Sequence, residues 1–150
     1  MKSLFVFILA VAAAAALGGR SRPDEWFAAL ARPAWAPPNW LFAPVWSALY
    51  VCIALAGWYL WRSEGGKFSL PITLWIVQLL LNAAWTWIFF HQHRIGLALV
   101  NILTLFACIV AFIILARLRN LASAWLFVPY ALWVGFASLL NGAYWVLNKK

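Results

Sequence analysis

Residues 32–46 read RPAWAPPNWLFAPVW and hold four of the seven prolines and three of the twelve tryptophans of the 150-residue chain. Proline fixes its own φ angle, lacks an amide hydrogen and restricts the residue before it, so this stretch cannot form one regular helix or strand. We predict a stiff, extended segment between the first hydrophobic run and the longer hydrophobic region that follows. A plain linker would not need so much aromatic surface, which suggests a function for the segment.

The composition around this segment is that of a membrane protein. Hydrophobic residues make up 67% of the chain and charged residues only 9%, whereas soluble domains carry about 25% charged residues. A soluble protein of this composition would expose too much apolar surface to stay in solution, so the bilayer is the solvent that fits. The length is that of a single domain, residues 1–150.

Five apolar runs are long enough to cross a bilayer, which takes about 20 residues of helix. We predict an all-α integral membrane bundle of five transmembrane helices, at 3–19, 41–61, 68–90, 95–116 and 121–147. The long connection at 20–40 contains DEWFAALA (24–31), which is typical of a short helix capped by Asp24. The other connections are short, so successive helices are expected to be antiparallel neighbours.

The first run has a second interpretation. Its basic start, apolar middle and small residues at the end also fit a signal peptide that is removed from the mature protein. However, the run is nearly long enough to span a bilayer, and its alanines at 12–16 allow close helix packing. We expect a retained helix, with removal of residues 1–19 as the alternative.

The formal net charge of +8 does not indicate nucleic-acid binding. The eleven Lys and Arg residues stand singly or in pairs between the apolar runs, where membrane proteins place them near lipid headgroups. Five of them fall on one predicted side of the membrane and six on the other, so charge alone does not set the orientation. We therefore expect membrane lipid as the charged partner, and no nucleic acid.

Three stripes combine aromatic, amide and small side chains at helical spacing: Asn82 with Trp85 and Thr86, Trp133 with Ala137 and Asn141, and Trp46 with Tyr50. An amide in hydrocarbon is costly unless it is hydrogen-bonded, so both asparagines are expected to face the bundle interior. One interpretation is interhelical hydrogen bonding that serves packing alone. The other is a cavity for a flat, largely apolar ligand beneath the proline- and tryptophan-rich loop.

Three motifs, in order along the chain, resemble the translocator protein family, which includes the tryptophan-rich sensory proteins and peripheral-type benzodiazepine receptors. They are WFAALARPAWAPPNWLFAPVWSALY (26–50), LLNAAWTWIFF (80–90) and VPYALWVGFASLLN (128–141). The resemblance covers four of the five predicted spans. It implies a homodimeric five-helix bundle whose first loop covers a ligand pocket. The family places such bundles in bacterial inner or outer membranes, or in the mitochondrial outer membrane.

The ligands that the resemblance implies are tetrapyrroles such as protoporphyrin IX, sterols and isoquinoline drugs, and no cofactor is required. Matched by motif, the ligand-binding residues are Trp35, Trp40, Trp46, Tyr50, Asn82, Trp85, Trp133 and Ala137. The end of the chain, LNGAYWVLNKK (140–150), departs from the sterol-binding pattern of mammalian members because its tyrosine is displaced. Sterol binding is therefore not inferred.

Three classes of function remain open from the residues. A membrane sensor or transporter would bind a porphyrin ring among the indoles and its propionates through Arg20, Arg22 or Arg32. The alternative is a light-dependent porphyrin-degrading enzyme, for which the resemblance makes Trp46 and Trp133 the candidate catalytic residues. A scaffold that binds no ligand is the third.

Metal-dependent chemistry has little support in the sequence. His91 and His93 are candidate haem ligands, although an interfacial position in contact with water is the simpler interpretation for both. Cys52 and Cys108 lie inside apolar runs, away from residues at ligand spacing, so no metal site is expected.

Overall fold

The computed structural model describes residues 2–149. Lys150, one of the basic residues counted above, lies outside the described residues. The helices are α1 (Lys2–Arg20), α2 (Glu25–Ala29), α3 (Phe42–Ser63), α4 (Leu70–Thr86), α5 (Ile95–Ala116) and α6 (Leu121–Asn148). A short 3₁₀ helix, Asn39–Leu41, leads into α3, and a π-helical turn, Trp87–His91, extends α4. Residues 2–149 contain no β-strand.

Five of the helices are long and apolar enough to cross a membrane: Lys2–Arg20, Asn39–Ser63, Leu70–His91, Ile95–Ala116 and Leu121–Asn148. They coincide with the five predicted spans to within a few residues at each end, so the prediction of an all-α, multi-pass integral membrane protein is confirmed. The proline positions explain two of the starts. Pro44 and Pro71 both lie in the first turn of their helices, where no intrahelical amide bond is lost.

The five spanning helices form a closed ring in the order α1, α3, α6, α5, α4. Helix α1 packs on α3 and α4, α6 packs on α3 and α5, and α4 packs on α5. Each helix buries one face inside the ring and presents large apolar side chains outward, where lipid solvates them. The interior holds aromatic contacts such as Phe112 against Phe127, whose ring centroids lie 4.0 Å apart.

Close packing of α1, α3 and α4 depends on a glycine. A Cβ atom on Gly57 would lie 2.5 Å from the indole of Trp75 and 2.7 Å from the ring of Phe7. Phe7 and Trp75 also pack edge to face, with ring centroids 4.8 Å apart. The absent side chain therefore lets two aromatic rings lie directly against the backbone of α3, at the end of the bundle farther from the loop of residues 21–41.

Candidate functional site

A cavity of about 440 Å³ lies among the five spanning helices, at the end of the bundle where residues 21–41 cross. We call residues 21–41 the strap. Helices α1, α3, α4, α5 and α6 and the strap all contribute to the cavity wall. Six of the eight predicted ligand-binding residues line it: Trp46, Tyr50, Asn82, Trp85, Trp133 and Ala137.

Trp35 and Trp40, the two predicted residues of the strap, do not line this cavity. The side chain of Trp40 is 70% exposed in the 3₁₀ turn that precedes α3, and Trp35 is 52% exposed. Trp35 packs edge-on against Phe136 of α6, with ring centroids 5.8 Å apart. Neither residue contributes to the cavity wall, and their participation in ligand binding stays a prediction.

The polar floor of the cavity is a chain of hydrogen bonds between three helices. The Tyr50 hydroxyl donates to Oδ1 of Asn82 (3.2 Å), and Nδ2 of Asn82 donates to the Tyr130 hydroxyl (3.1 Å). The Tyr130 hydroxyl in turn donates to Oε1 of Gln78 (2.9 Å). Because the Asn82 amide is hydrogen-bonded to these partners, its burial in the membrane does not carry the free-energy cost of an unpaired polar group. Asn82 thus faces the bundle interior, as its position in the sequence indicated.

Asn141 of α6 is hydrogen-bonded to two other helices in the same way. Nε1 of Trp85 donates to its Oδ1 (2.9 Å), and its Nδ2 donates to the backbone carbonyl of Ile95 (3.0 Å). These bonds hold α6 against α4 and the start of α5. They also fix the plane of the Trp85 indole, so one aromatic surface of the cavity is held rigidly.

Sequence reasoning missed several aromatic residues of the wall: Phe27, Phe42, Phe89, Phe90 and Tyr144. Phe89 and Phe90 lie in the π-helical turn that ends α4. Such turns are frequent at functional sites and change which side chains face inward, yet no pattern in the sequence marks them. Tyr130 and Gln78 were missed as well, although Gln78 and Asn82 stand four residues apart on one helical face, which is a signal for a shared network.

The charges around the cavity are all of one sign. Arg22 and Arg32 of the strap line it, whereas Arg20 does not. No Asp or Glu is among the described lining residues. The cavity therefore combines an apolar, aromatic interior with two guanidinium groups contributed by the strap, which suits a flat apolar molecule that carries acidic groups.

Trp133 presents a polar group that the protein itself leaves without a partner. Its Nε1 is buried and makes no hydrogen bond with any described residue, whereas Nε1 of Trp85 is bonded to Asn141. A buried donor left unsatisfied costs about 1–3 kcal/mol. Phe42 of α3 packs edge-on to the Trp133 ring, with centroids 5.5 Å apart, so this donor lies where the strap meets the helices.

The start of the strap is fastened to the connection between α4 and α5. Oδ2 of Asp24 lies 3.0 Å from Nε2 of His93, and the Trp26 indole stacks on the His93 ring at 4.2 Å between centroids. The other oxygen of Asp24 accepts from the amide of Phe27 (3.0 Å) and so caps α2. The two histidines of the chain do not line the cavity, so this arrangement offers no support for haem ligation.

The Phe27 amide bond, followed by the contacts with His93, lowers the pKa of Asp24 below its ordinary value. Because the pKa is lower in the folded state, the carboxylate favours the capped strap at pH above the ordinary range near 4, and this contribution is lost as pH falls through the folded pKa. We expect the exchange protection of the Phe27 amide to fall when the pH is lowered from 5 to 3. Protection factors from hydrogen exchange in detergent micelles measure this.

The control for this prediction is Asp24→Asn, which retains an oxygen for the Phe27 amide but cannot ionise. Its Phe27 protection factor should be nearly constant between pH 3 and 5. An equal loss of protection in the wild type and in this variant would show that another group is responsible.

Comparison with known proteins agrees with the architecture. The TspO/MBR family matches residues 5–146. The protein CrtK of Rhodobacter capsulatus is 34% identical over 145 residues, which cover 95% of this chain and 91% of the relative. The translocator protein of Ovis aries is 35% identical, over 87% of this chain and 79% of the relative. The tryptophan-rich sensory protein of Cereibacter sphaeroides is 33% identical, over 90% and 84% respectively.

The family match covers the strap, every residue of the cavity wall and all five membrane helices except the first residues of α1 and the last residues of α6. Identity of about one third over nearly the whole length is shared with relatives from bacteria and from mammals alike. On this evidence the chain belongs to the TspO/MBR family of membrane proteins.

Proposed function

We propose that this protein binds tetrapyrroles such as protoporphyrin IX in the cavity between its five spanning helices. The proposal includes a homodimer in the membrane that acts as a sensor or transporter of the ligand and requires no cofactor. The names translocator and tryptophan-rich sensory protein, carried by two of the relatives, agree with such a role.

The observation that carries the proposal is the pairing of indole walls with two arginines and no acidic side chain in one cavity. The volume, about 440 Å³, lies within the range of small-molecule sites. A porphyrin ring would stack on Trp46 and Trp133, which line the cavity from the neighbouring helices α3 and α6. Its propionates would pair with Arg22 and Arg32.

A titration of the purified protein with protoporphyrin IX in the dark, followed by tryptophan fluorescence quenching, tests this proposal. We expect saturable binding by the wild type. In the double variant Trp46→Phe/Trp133→Phe we expect affinity to fall about tenfold, because both large stacking surfaces are lost. Binding that is not saturable, or an unchanged affinity of the double variant, would contradict the assignment of this cavity.

The matched control is Trp87→Phe/Trp125→Phe. Both residues are exposed at the surface and do not line the cavity, with exposed fractions of 49% for Trp87 and 64% for Trp125. The control should bind as the wild type does, which separates a cavity effect from a loss of quenching partners. Repeating the titration under illumination tests porphyrin breakdown, which would produce a new bilin-like absorption that the Trp46→Phe/Trp133→Phe variant lacks.

A further inference from the structure

The last residue of α6 makes an unusual contact with the strap. Oδ1 of Asn148 accepts from the backbone amide of Ala31 (2.8 Å), and its Nδ2 donates to the backbone carbonyl of the same residue (3.0 Å). Nδ2 also donates to the carbonyl of Tyr144, one turn earlier in α6 (2.8 Å). A single carboxamide thus satisfies both backbone groups of a residue 117 positions away in the chain.

The residue held in this way immediately precedes Arg32, one of the two arginines of the cavity wall. The side chain of Arg32 donates to Oδ1 of Asn39 (3.1 Å) and to the carbonyl of Pro37. The bond to Asn39 joins Arg32 to the first residue of the spanning helix Asn39–Ser63, whereas the bond to Pro37 stays within the strap. The pairing of Ala31 with Asn148 is the hydrogen-bonded link between this part of the strap and α6.

The remaining contacts of the strap with the bundle are mainly packing contacts. Phe27 packs against Phe90 and Tyr144, with ring centroids 5.3 and 5.6 Å away, and Pro33 is buried. Apolar contacts keep the strap packed on the helices, but they are non-directional, so they do not fix the position of the strap backbone relative to α6. A carboxamide that bonds both groups of one peptide residue is directional, so it sets the position of the backbone along the end of α6.

We propose that Asn148 is a positioning residue that fixes the backbone beside Arg32, and that it thereby gives the cavity its selectivity for ligands bearing carboxylates. The claim that Asn148 gives the cavity its selectivity rests on the proposed function of the cavity. Without Asn148 the strap would remain packed on the helices and Arg32 would keep its bonds to Pro37 and Asn39, but the backbone that carries Arg32 would no longer be fixed relative to α6.

The first test needs no ligand. Hydrogen exchange of the full-length protein in detergent micelles should show a protected Ala31 amide in the wild type, and exchange at least about tenfold faster in Asn148→Ala. The matched control is Asn101→Ala, which removes another side-chain amide bond, from Nδ2 to the carbonyl of Leu81 between α5 and α4. It should leave Ala31 unchanged. Equal protection of Ala31 in the wild type and in Asn148→Ala would overturn the proposal.

The second test compares protoporphyrin IX with its dimethyl ester, which keeps the ring and removes both negative charges. The wild type should bind the diacid at least about tenfold more tightly than the ester, because an ion-paired carboxylate is a stronger partner than an ester. Asn148→Ala should reduce this ratio at least threefold while affinity for the ester changes little, a pattern that a general loss of stability would not produce. Arg32→Gln should reduce the ratio as well, with Ala31 still protected.

The two tests separate the two claims. If Ala31 loses protection in Asn148→Ala but the ratio of affinities stays at the wild-type value, Asn148 does not position Arg32 for the ligand and the inference is wrong. If the wild type binds neither porphyrin, the proposed function fails, and the exchange experiment alone still decides whether Asn148 holds the Arg32 backbone.

Discussion

Replacing Ala137 with phenylalanine is expected to abolish most ligand binding while the bundle stays folded. Ala137 lies one turn from both Trp133 and Asn141 on α6, and all three line the cavity. A phenyl ring at this position would occupy part of the 440 Å³ that a porphyrin ring needs. Forcing a ligand into an overfilled site costs about 2–3 kcal/mol, so we expect protoporphyrin IX affinity to fall roughly 100-fold.

Fluorescence titration measures this effect, and thermal denaturation in detergent checks that the fold is retained. Because the added ring enters an existing cavity, the unfolding midpoint should change little. Ala122→Phe is the matched control, since Ala122 lies on the same helix with its side chain exposed at the outer surface. Wild-type affinity in Ala137→Phe would mean that the ligand binds elsewhere on the protein.

Replacing Gly57 with alanine is expected to destabilise the bundle. The new methyl group would lie 2.5 Å from Nε1 and Cε2 of the Trp75 indole. Trp75 is 3% exposed, and its Nε1 donates to the carbonyl of Ile53 (2.8 Å), one turn earlier in α3. The ring therefore cannot move away without losing its hydrogen bond and its packing on Phe7.

The expected net cost combines three contributions. Overpacking costs about 1–3 kcal/mol, the lost hydrogen bond costs about 1 kcal/mol, and the higher helix propensity of alanine returns about 1 kcal/mol. A net loss of about 2 kcal/mol corresponds to a fall of roughly 4–8 °C in the unfolding midpoint. Thermal denaturation followed by size-exclusion chromatography measures it.

Gly142→Ala is the control for this second prediction. A Cβ atom on Gly142 would meet Leu99 at 3.9 Å, an ordinary van der Waals distance. This variant should be as stable as the wild type or slightly more stable. A Gly57→Ala variant that also matched the wild type would show that Trp75 repacks freely, and that the close approach of α1, α3 and α4 is not fixed by the glycine.

The architecture was largely predictable because the bilayer imposes a simple rule. A chain that crosses hydrocarbon must satisfy its backbone polar groups within each span, so runs of about 20 apolar residues must be helices. The five spans could therefore be located from composition alone, with ends marked by residues such as Arg20 and Arg117. The prolines at 33, 37 and 38 similarly predicted that no helix or strand would run through residues 32–38.

The candidate site was predictable where residue type and helical spacing coincide. Asn82 and Asn141 were expected to face inward because an unpaired amide in lipid costs free energy. Residues one helical turn away lie on the same face of the helix and therefore face inward as well. Trp85, Trp133 and Ala137 were located by this argument together with the family motifs, and all three line the cavity. No comparable constraint acts on Trp35 and Trp40, whose surroundings depend on how the strap lies.

What the sequence determined by itself is the set of spans, their apolar outer faces and the inward amides, because the solvent acts on each residue according to its type. The tertiary structure alone decided the ring order of the helices, the π-helical turn that brings in Phe89 and Phe90, and the pairing of Asn148 with Ala31. These features arise from contacts between residues far apart in the chain. The type of one residue does not indicate which distant residue it will contact.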